Sequence, residues 1–422
     1  MGFFDILGAF IFYYPIVMSI VWMFGGLFFY FRRERNQPKF PKLDTFPLVS
    51  ILIPARNEEQ DIEDTVKSIF TNEYPNFEVL VINDASTDNT LNILHAMQEH
   101  YPRLKVLNLT HNMGKANGLN HALPMTSGEI IFTIDADSML DPWAIYWAVW
   151  HFEKFPRVGA VTGNPRVRNR TSLIAKIQTA EYSSVIGLIK RTQRLLGKVM
   201  TVSGVIAAWR KRALIDAGGW STDMITDDID MTWKLEKHFW DIRYEPNMLC
   251  WMLVPEQYSG LWKQRKRWAQ GGVEVLKKHF DIFKDYRNRR LWPVYIDYCL
   301  GVCWAYAFIV ALILFVIGLI LGKSFSYAEF GNPFLYWNGS VISIVCLLQF
   351  LVSLILDRRY DKEIHKLYFW VIWYPAVYWI YNSLAVVVAT PVALAKKFGT
   401  DAIWESPDRG IRGKENESHN QQ

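Results

Sequence analysis

The stretch Ile130-Ile131-Phe132-Thr133-Ile134-Asp135-Ala136-Asp137 joins a short apolar, β-branched run to two carboxylates that are two residues apart. A run of this length and composition is typical of a buried strand. Two earlier runs, at 49–53 and 78–82, have the same character, and stretches with helical patterns, at 62–70 and 91–100, separate the three runs. Strands that alternate with helices predict an α/β domain with a mainly parallel sheet.

Polar and acidic residues follow each of these runs. Pro54-Ala55-Arg56-Asn57-Glu58 follows the first, Asn83-Asp84-Ala85-Ser86-Thr87-Asp88 the second, and the two carboxylates at 135 and 137 the third. Ligands of such sheets bind at the carboxyl ends of the strands. An acid there can accept hydrogen bonds from a nucleobase or ribose, and paired carboxylates suit a hard divalent cation that also holds phosphates. Ordinary capped turns are the alternative for the first two motifs.

Thr226-Asp227-Asp228 supplies a second pair of carboxylates. A sugar transfer with inversion needs a base for the proton of the acceptor hydroxyl, and a carboxylate near a metal and a diphosphate meets that need. The alternative is a solvated acidic turn or helix start, which the nearby Asp230 favours.

In the segment 111–120, Gly114 would permit a tight backbone and Lys115 a phosphate or sugar contact. The chain has no Walker A and no GxGxxG pattern, so it lacks the signatures of P-loop NTPases and of dinucleotide-binding dehydrogenases.

Gln264-Arg265-Lys266-Arg267-Trp268 is the last motif. If this stretch is helical, Gln264, Arg267 and Trp268 lie on one face. Arginine can bind a leaving pyrophosphate as a planar fork, and a tryptophan ring can stack on a sugar. An amphipathic helix lying on anionic lipid, with Trp262 and Trp268 as anchors, is the alternative, and both interpretations can hold together.

The composition combines a membrane protein with a soluble one. Hydrophobic residues make up 51% of the 422 residues and 18 are Trp, which membrane proteins use at the lipid–water interface, whereas 21% are charged. A formal net charge of +5 is too small to indicate a nucleic acid partner.

Four apolar segments are long enough to suggest a membrane, at 9–31, 292–321, 336–356 and 367–394. Basic residues after the first segment and in the loop 357–366 predict that these parts are cytosolic. The last segment contains Pro375 and Pro391, so a simple span and a broken or re-entrant segment both remain open. We expect a membrane helix and basic linker at 1–45, a cytosolic domain with interfacial helices at 46–290, a membrane region of about three segments at 291–397, and a polar tail at 398–422.

Asp84, Asp135-x-Asp137, Thr226-Asp227-Asp228 and Gln264-x-x-Arg267-Trp268, in this order, resemble the motifs of the family-2, GT-A-type processive β-glycosyltransferases. That family includes the cellulose, chitin and hyaluronan synthases. Further stretches, at 163–166, 251–256, 268–272 and 406–410, look like the bacterial poly-β-1,6-N-acetyl-D-glucosamine synthases of biofilm formation. The resemblance implies a GT-A domain between transmembrane helices of a bacterial cell membrane. It also implies inverting, processive transfer of N-acetylglucosamine from UDP-GlcNAc into a β-1,6-linked polysaccharide, with a part in its export.

The resemblance further implies a role for each motif residue. Asp84 would bind the uridine moiety, with Pro54, Arg56, Asn57 and Glu58 around it, and Lys115 would add a donor contact. Asp135 and Asp137 would meet the diphosphate, with Asp137 as the more direct ligand of Mg²⁺ or Mn²⁺. Asp228 would be the general base, with Asp227 standing where the family usually has Glu. Gln264, Arg267 and Trp268 would hold the acceptor end and the pyrophosphate.

The partners implied are the donor, the growing polysaccharide, the lipid bilayer and a small membrane accessory protein. A hyaluronan-type or chitin-type synthase and a lipid-linked single-sugar transferase are the alternatives. The Gln-x-x-Arg-Trp motif favours a processive enzyme over the lipid-linked transferase. A non-catalytic scaffold or transporter would not need the ordered set of acids.

Overall fold

The structure is a computed structural model that describes residues 3–322 and 337–399. The stretch at 406–410 and nearly all of the polar tail lie outside the described residues, and so does most of the loop between the second and third apolar segments.

Eight strands of the described chain form one sheet in the order β3-β2-β1-β4-β7-β6-β8-β5. Their bounds are β1 Val49–Ala55, β2 Phe77–Asp84, β3 Leu104–Leu109, β4 Ile130–Ile134, β5 Met139–Leu140, β6 Val158–Val167, β7 Ile206–Arg210 and β8 Asp241–Met252. Strands β1 to β4 pair in parallel, as do β6 and β8, whereas β7 and β5 run antiparallel to their neighbours. The predicted α/β class and the three predicted strands are confirmed, and the sheet is mixed because β7 and β5 reverse direction.

Thirteen α-helices lie in the described part of the chain. They are α1 Phe3–Phe29, α2 Ile62–Phe70, α3 Thr90–His100, α4 Lys115–Ala122, α5 Ala144–Lys154, α6 Leu173–Tyr182, α7 Ile189–Leu196, α8 Lys211–Asp216, α9 Asp227–Lys237, α10 Tyr258–Lys278, α11 Trp292–Leu321, α12 Trp337–Asp357 and α13 Trp379–Ala395. Local signals set several ends. Ser172 caps α6 by accepting a hydrogen bond from the Ala175 amide at 3.1 Å, and α7 ends at Gly197, whose φ of +102° suits glycine.

Helices cover both faces of the sheet, which explains why the strands read as continuous apolar runs. Ile51 and Ile53 of β1 pack with α2, α3 and α5 on one face, whereas Leu52 packs with α4, α8 and α9 on the other. All three side chains are fully buried. The carboxyl ends of β1, β2 and β4 therefore meet at one edge, where the polar motifs begin.

Within residues 3–322 and 337–399, three helices are long and apolar enough to cross a membrane, at Asp5–Glu34, Trp292–Leu321 and Asn338–Asp357, and α13 is a shorter apolar helix. The last apolar segment is a broken helix rather than one continuous span. It begins as a 3₁₀ helix at Ile364–Trp373, passes through a π turn at Tyr374–Tyr378 and becomes α-helical only in α13. The break lies at Pro375, which has no backbone N–H to continue the ladder.

A buried network of charges joins the apolar helices to the sheet domain. Arg191 of α7 donates to Glu34 at 2.6 Å and pairs with Asp357 at the end of α12 at 2.9 Å. Arg166 of β6 pairs with the other oxygen of Asp357 at 2.8 Å, and Tyr360 donates to Glu34 at 2.8 Å. Glu34, Arg191 and Asp357 are fully buried, so two cations balance two anions away from water. Through Glu34, which follows α1, and Asp357, which ends α12, the network joins these two apolar helices to β6 and α7 of the sheet domain.

Candidate active site

The loops after β1 and β2 brace one another. Arg56 donates to the carbonyl oxygen of Asp84 at 2.6 Å, and the Asn57 side chain accepts from the Thr87 amide at 2.8 Å. Asn57 and Ala85 have φ values of 55° and 50°, in the left-handed region that side chains rarely adopt. Such conformations cost about 1 to 3 kcal/mol each and persist where the surroundings impose them, often at functional sites. Arg56 and Asn57 thus shape this edge of the sheet.

Pro54 and Glu58 flank these loop residues. Pro54 lies inside β1 and pairs in register with Ile82 of β2, so β1 extends into the predicted polar motif. The Glu58 amide donates to the Thr90 hydroxyl at 2.9 Å, and the Glu58 side chain is buried. Both residues therefore belong to the frame of the first loop.

Asp84, the last residue of β2, holds the next loop. Its two carboxylate oxygens accept from the backbone amides of Met113 at 2.7 Å and Gly114 at 2.9 Å. Gly114 has a φ of +83° and directly precedes α4, which begins at Lys115. The Asp84 carboxylate consequently fixes the start of α4 and with it the position of Lys115.

Lys115 brings the separate acidic motifs together. Its ammonium donates to Asp135 at 2.6 Å and to the Gly204 carbonyl at 3.2 Å. Burial lowers the pKa of Lys115, but the carboxylates of Asp135, Asp227 and Asp228 outweigh burial and raise it overall. One lysine is thus surrounded by acids from two motifs that lie about 90 residues apart in the sequence.

Asp137 lies beside this cluster and is buried, with 3% of its surface exposed. The Ser138 hydroxyl donates to one of its oxygens at 3.1 Å. Within residues 3–322 and 337–399, no group of three or more His, Cys, Asp or Glu side chains is arranged to hold a metal ion by itself. A cation at Asp137 would therefore need most of its ligands from a bound molecule and water.

Asp227 and Asp228 open α9 and differ in surroundings. Burial has the largest effect on the pKa of Asp227 and raises it, Lys115 lowers it, and the carboxylates of Asp228 and Asp135 raise it further. The resulting pKa is about 6. Asp228 lies against Gly204, where a Cβ atom would approach its Oδ2 to 3.0 Å. Asp230 is separate: it is fully buried and binds His279 at 2.9 Å and Lys278 at 3.3 Å. The acidic stretch is therefore a helix start, which is one of the two alternatives, but it is not a solvated one, because Asp230 is fully buried and Asp227 and Asp228 are half-buried.

The Gln264–Trp268 motif lies within the helix α10, which meets the condition for Gln264, Arg267 and Trp268 to share one face. Its two arginines differ. Arg265 is buried, pairs with Glu181 of α6 at 2.5 Å and lies 4.7 Å from the centre of the Trp268 ring. Arg267 is exposed and makes no ion pair with any residue that the structure describes. Gln264 is 9% exposed and its Oε1 has no hydrogen-bond partner among the described residues.

Tyr182 connects the motif of α10 to the acids. Its ring lies edge-on to Trp268 with 6.1 Å between centres. Burial raises the pKa of the Tyr182 hydroxyl, and Arg267 and Asp137 both act on it as charges, with opposite signs. The motif of α10 and Asp137 therefore both lie near one tyrosine.

Several residues of this site were not predicted. Tyr182 and the segment 201–205 carry no local pattern of their own. Gly271 belongs to the stretch 268–272 of the family resemblance, and its pair with Gly272 signals a close approach to another element, because glycines inside a helix are otherwise unfavourable.

Comparisons with known proteins identify the family and the fold of this chain. The family described as "Glycosyltransferase like family 2" matches residues 47–271. The poly-beta-1,6-N-acetyl-D-glucosamine synthase of Staphylococcus epidermidis is 40% identical over 405 residues, which cover 95% of this chain and 98% of that protein. The protein of the same name from Staphylococcus aureus (strain COL) is 41% identical over 412 residues, with the same coverage.

A solved structure has the same fold. The mannosyltransferase PcManGT from Pyrobaculum calidifontis, in complex with GDP-Man and Mn²⁺, superposes with a TM-score of 0.61 at 22% identity and covers 92% of this chain and 99% of that one. The fold is thus the GT-A-like glycosyltransferase fold, flanked by apolar helices. The chain belongs to the family-2 glycosyltransferases, in the group of the poly-beta-1,6-N-acetyl-D-glucosamine synthases.

Proposed function

We propose that this chain is a processive, inverting glycosyltransferase that polymerises N-acetylglucosamine from UDP-GlcNAc into a β-1,6-linked polysaccharide and aids its export. One observation carries the proposal. The ammonium group of Lys115 donates to Asp135 and is attracted by Asp227 and Asp228. The carboxylates that a sugar-nucleotide transferase needs therefore lie around this one ammonium group at the carboxyl ends of the strands. The near full-length likeness to the staphylococcal synthases supports the choice of substrate and product.

The donor side would be formed by the loops after β1 and β2. Pro54, Arg56, Asn57, Glu58 and Asp84 frame this edge through the contacts described above. A nucleobase would lie against these loops, and Lys115 and Asp135 would face the phosphates. Because hydrogen bonds between side chains and backbone brace these loops, we expect this edge of the sheet to be formed before the donor binds.

A divalent cation fits the residues present. Mg²⁺ is usually held by one or two carboxylates together with substrate phosphates rather than by a cage of protein ligands. Asp137, which is buried, and Asp135 would supply these carboxylates. A cation bound there, Mg²⁺ or Mn²⁺, would neutralise charge that develops on the UDP leaving group.

Asp228 would act as the general base. Its carboxylate takes the proton from the 6-hydroxyl of the acceptor sugar while that oxygen bonds to the anomeric carbon of the donor. The bond from the anomeric carbon to UDP breaks on the opposite face, which inverts an α-linked donor to a β-linked product. The exposed guanidinium of Arg267 would hold the pyrophosphate, and Gln264 and Trp268 would hold the acceptor sugar.

The membrane arrangement is part of the proposal. Residues 1–45 and 291–397 would anchor the chain as a multi-pass protein of a bacterial cell membrane, with the domain 46–290 in the cytosol because the flanking loops are basic. The interfacial helices, the path of the polymer between the apolar helices, and a small accessory membrane protein are inferred from the family resemblance.

In the decisive experiment, membranes that contain the wild-type protein or the Asp228→Asn variant are incubated with radiolabelled UDP-GlcNAc and Mg²⁺. We expect a high-mass product that a β-1,6-specific hexosaminidase digests and that the variant fails to make. A single sugar on a lipid extract would replace the proposal with a lipid-linked transferase. A polymer that resists the hexosaminidase would indicate a chitin-type or hyaluronan-type product, and equal polymer from the variant would mean that Asp228 is not the base.

A further inference from the structure

Lys190 of α7 is a buried cation without an acidic partner at ion-pair distance. It is 4% exposed, and its ammonium donates to the Thr162 hydroxyl at 3.1 Å. Within the two described stretches it forms no salt bridge, whereas the buried Arg166, Arg191 and Arg265 each pair with a carboxylate. Burying an ion costs several kcal/mol unless a partner compensates. An uncompensated lysine at this depth therefore indicates a role other than stability.

Its hydrogen bond leads to the segment 201–205. The Thr162 hydroxyl also accepts from the Ser203 amide at 2.8 Å. Ser203 precedes Gly204, which lies against the Asp228 carboxylate. On the other side, the Val202 amide donates to the Thr232 hydroxyl of α9 at 2.9 Å. The segment 201–205 is thus hydrogen-bonded on one side to Thr162, which also accepts from Lys190, and on the other side to α9, the helix that carries Asp228.

The electrostatic surroundings of Lys190 are simple. Burial lowers the pKa of Lys190, and Asp228 of α9 raises it. The other cations of α7 face other groups. Arg191 pairs with Glu34 and Asp357. The pKa of Arg194 is lowered by burial and by Arg33 and is raised by Asp241 and Glu236. Burial lowers the pKa of Lys190 to about 7, so its charge depends on pH in the neutral range.

We propose that Lys190 is a positioning residue for the candidate base: its ammonium group holds Thr162 and the segment 201–205 so that Asp228 keeps its place, and it presents a positive charge to the Asp228 carboxylate. This inference rests on the proposed function, in which Asp228 takes the proton of the acceptor. The hydrogen bond of Lys190 goes to Thr162 of β6 rather than to the loops proposed to bind the donor, so its removal should affect kcat and leave the KM for the donor unchanged.

The test measures initial rates at saturating UDP-GlcNAc on both sides of neutrality for wild type, Lys190→Met and Lys190→Arg. We expect the wild-type kcat to fall as the pH rises through about 7, where Lys190 loses its proton. Lys190→Met should be about tenfold slower or worse below that pH and should lack the fall. Lys190→Arg should keep the rate and also lack the fall, because arginine stays protonated.

Lys211→Met is the matched control, since Lys211 is a half-buried lysine that donates to the Thr126 carbonyl at 2.7 Å, away from the acids. If Lys190→Arg does not fold, Thr162→Val removes the hydroxyl that accepts from Lys190 and should lower kcat without changing KM. A wild-type kcat and pH profile in Lys190→Met, or a wild-type kcat in Thr162→Val, would overturn the inference. Activity in Asp228→Asn would instead reject the base itself, so the two failures are distinguishable.

Discussion

Gly271 of α10 and Thr226, the residue that precedes α9, lie in direct contact: a Cβ atom on Gly271 would come within 2.3 Å of both Cγ2 and Oγ1 of Thr226. The next residue, Gly272, faces another helix, and a Cβ atom there would come within 1.8 Å of the Tyr298 hydroxyl in α11. Two consecutive glycines therefore let α10 touch the acidic motif and an apolar helix at the same time.

Gly271→Ala should slow transfer with little loss of donor binding. The added methyl group forces Thr226 away, and Asp227 and Asp228 follow it directly in the chain. Because misplacing a catalytic group by about 1 Å can cost about a hundredfold, we expect kcat to fall at least tenfold while the KM for UDP-GlcNAc stays nearly constant. Initial rates of polymer formation against donor concentration measure both.

Gly301→Ala is the control for this prediction. It is also a glycine inside a helix, but its nearest neighbour to an added Cβ atom is the Tyr14 hydroxyl at 3.5 Å, an ordinary contact distance. We expect a wild-type rate from it. Equal rates from both variants would mean that the contact with Thr226 does not set the position of the acids.

Local patterns predicted the parts of this molecule that depend on local physics. The run 130–134 is a strand with the predicted bounds, and the polar motifs lie at strand ends. The reversal of β7 and β5 depends on pairings between distant segments, which periodicity does not encode. The same limit applies to Lys190, because its partners Thr162 and Asp228 come from other elements.

The two arginines of the α10 motif should have different functions, although the sequence makes them look alike. Arg265→Met removes the only cation paired with the buried Glu181 among the described residues and leaves it with the hydroxyl of Tyr374 as its main donor, which should destabilise the protein by about 3 to 5 kcal/mol and lower Tm. Arg267 is exposed and unpaired in the described chain, so Arg267→Met should leave Tm unchanged and lower kcat by about a hundredfold, as loss of a charge-stabilising donor does. Thermal unfolding in detergent and initial rates give the two readings.

Lys266→Met serves as the control for both arginines, since Lys266 lies between them and forms no salt bridge within the described residues. It should change neither Tm nor kcat. A stable Arg265→Met variant, or a destabilised Arg267→Met variant, would contradict this division of roles.

The buried charge network should contribute strongly to stability. Asp357→Asn removes the anion that lies 2.8 Å from Arg166 and 2.9 Å from Arg191, and Arg191 keeps only Glu34. We therefore expect a loss of about 3 to 5 kcal/mol and a lower Tm. Glu63→Gln removes one partner of an exposed pair with Lys67 and should change Tm by less than the error of the measurement. Similar small shifts from both variants would mean that the network does not hold the apolar helices to the domain.

Glu236 of α9 should make the free energy of unfolding depend on pH. It is 1% exposed, and its Oε1 accepts from the Val199 amide at 3.0 Å, while Oε2 has no partner among the described residues. Burial raises the pKa of Glu236 to about 7, against the weaker opposing effects of Lys198 and the Val199 amide. The folded state therefore holds this proton more tightly than the unfolded state does.

The sign of the effect follows from that difference. The stability contributed by the raised pKa of Glu236 is complete below its ordinary value of 4.5 and is lost as the pH rises through about 7, a change of roughly 3 kcal/mol. Glu236→Gln keeps an oxygen for the Val199 amide and cannot ionise, so its Tm should fall less than the wild-type Tm between mildly acidic and mildly alkaline pH. Glu99→Gln, which changes an exposed carboxylate of α3, should keep the wild-type fall. An undiminished fall in Glu236→Gln would mean that another group carries the pH dependence.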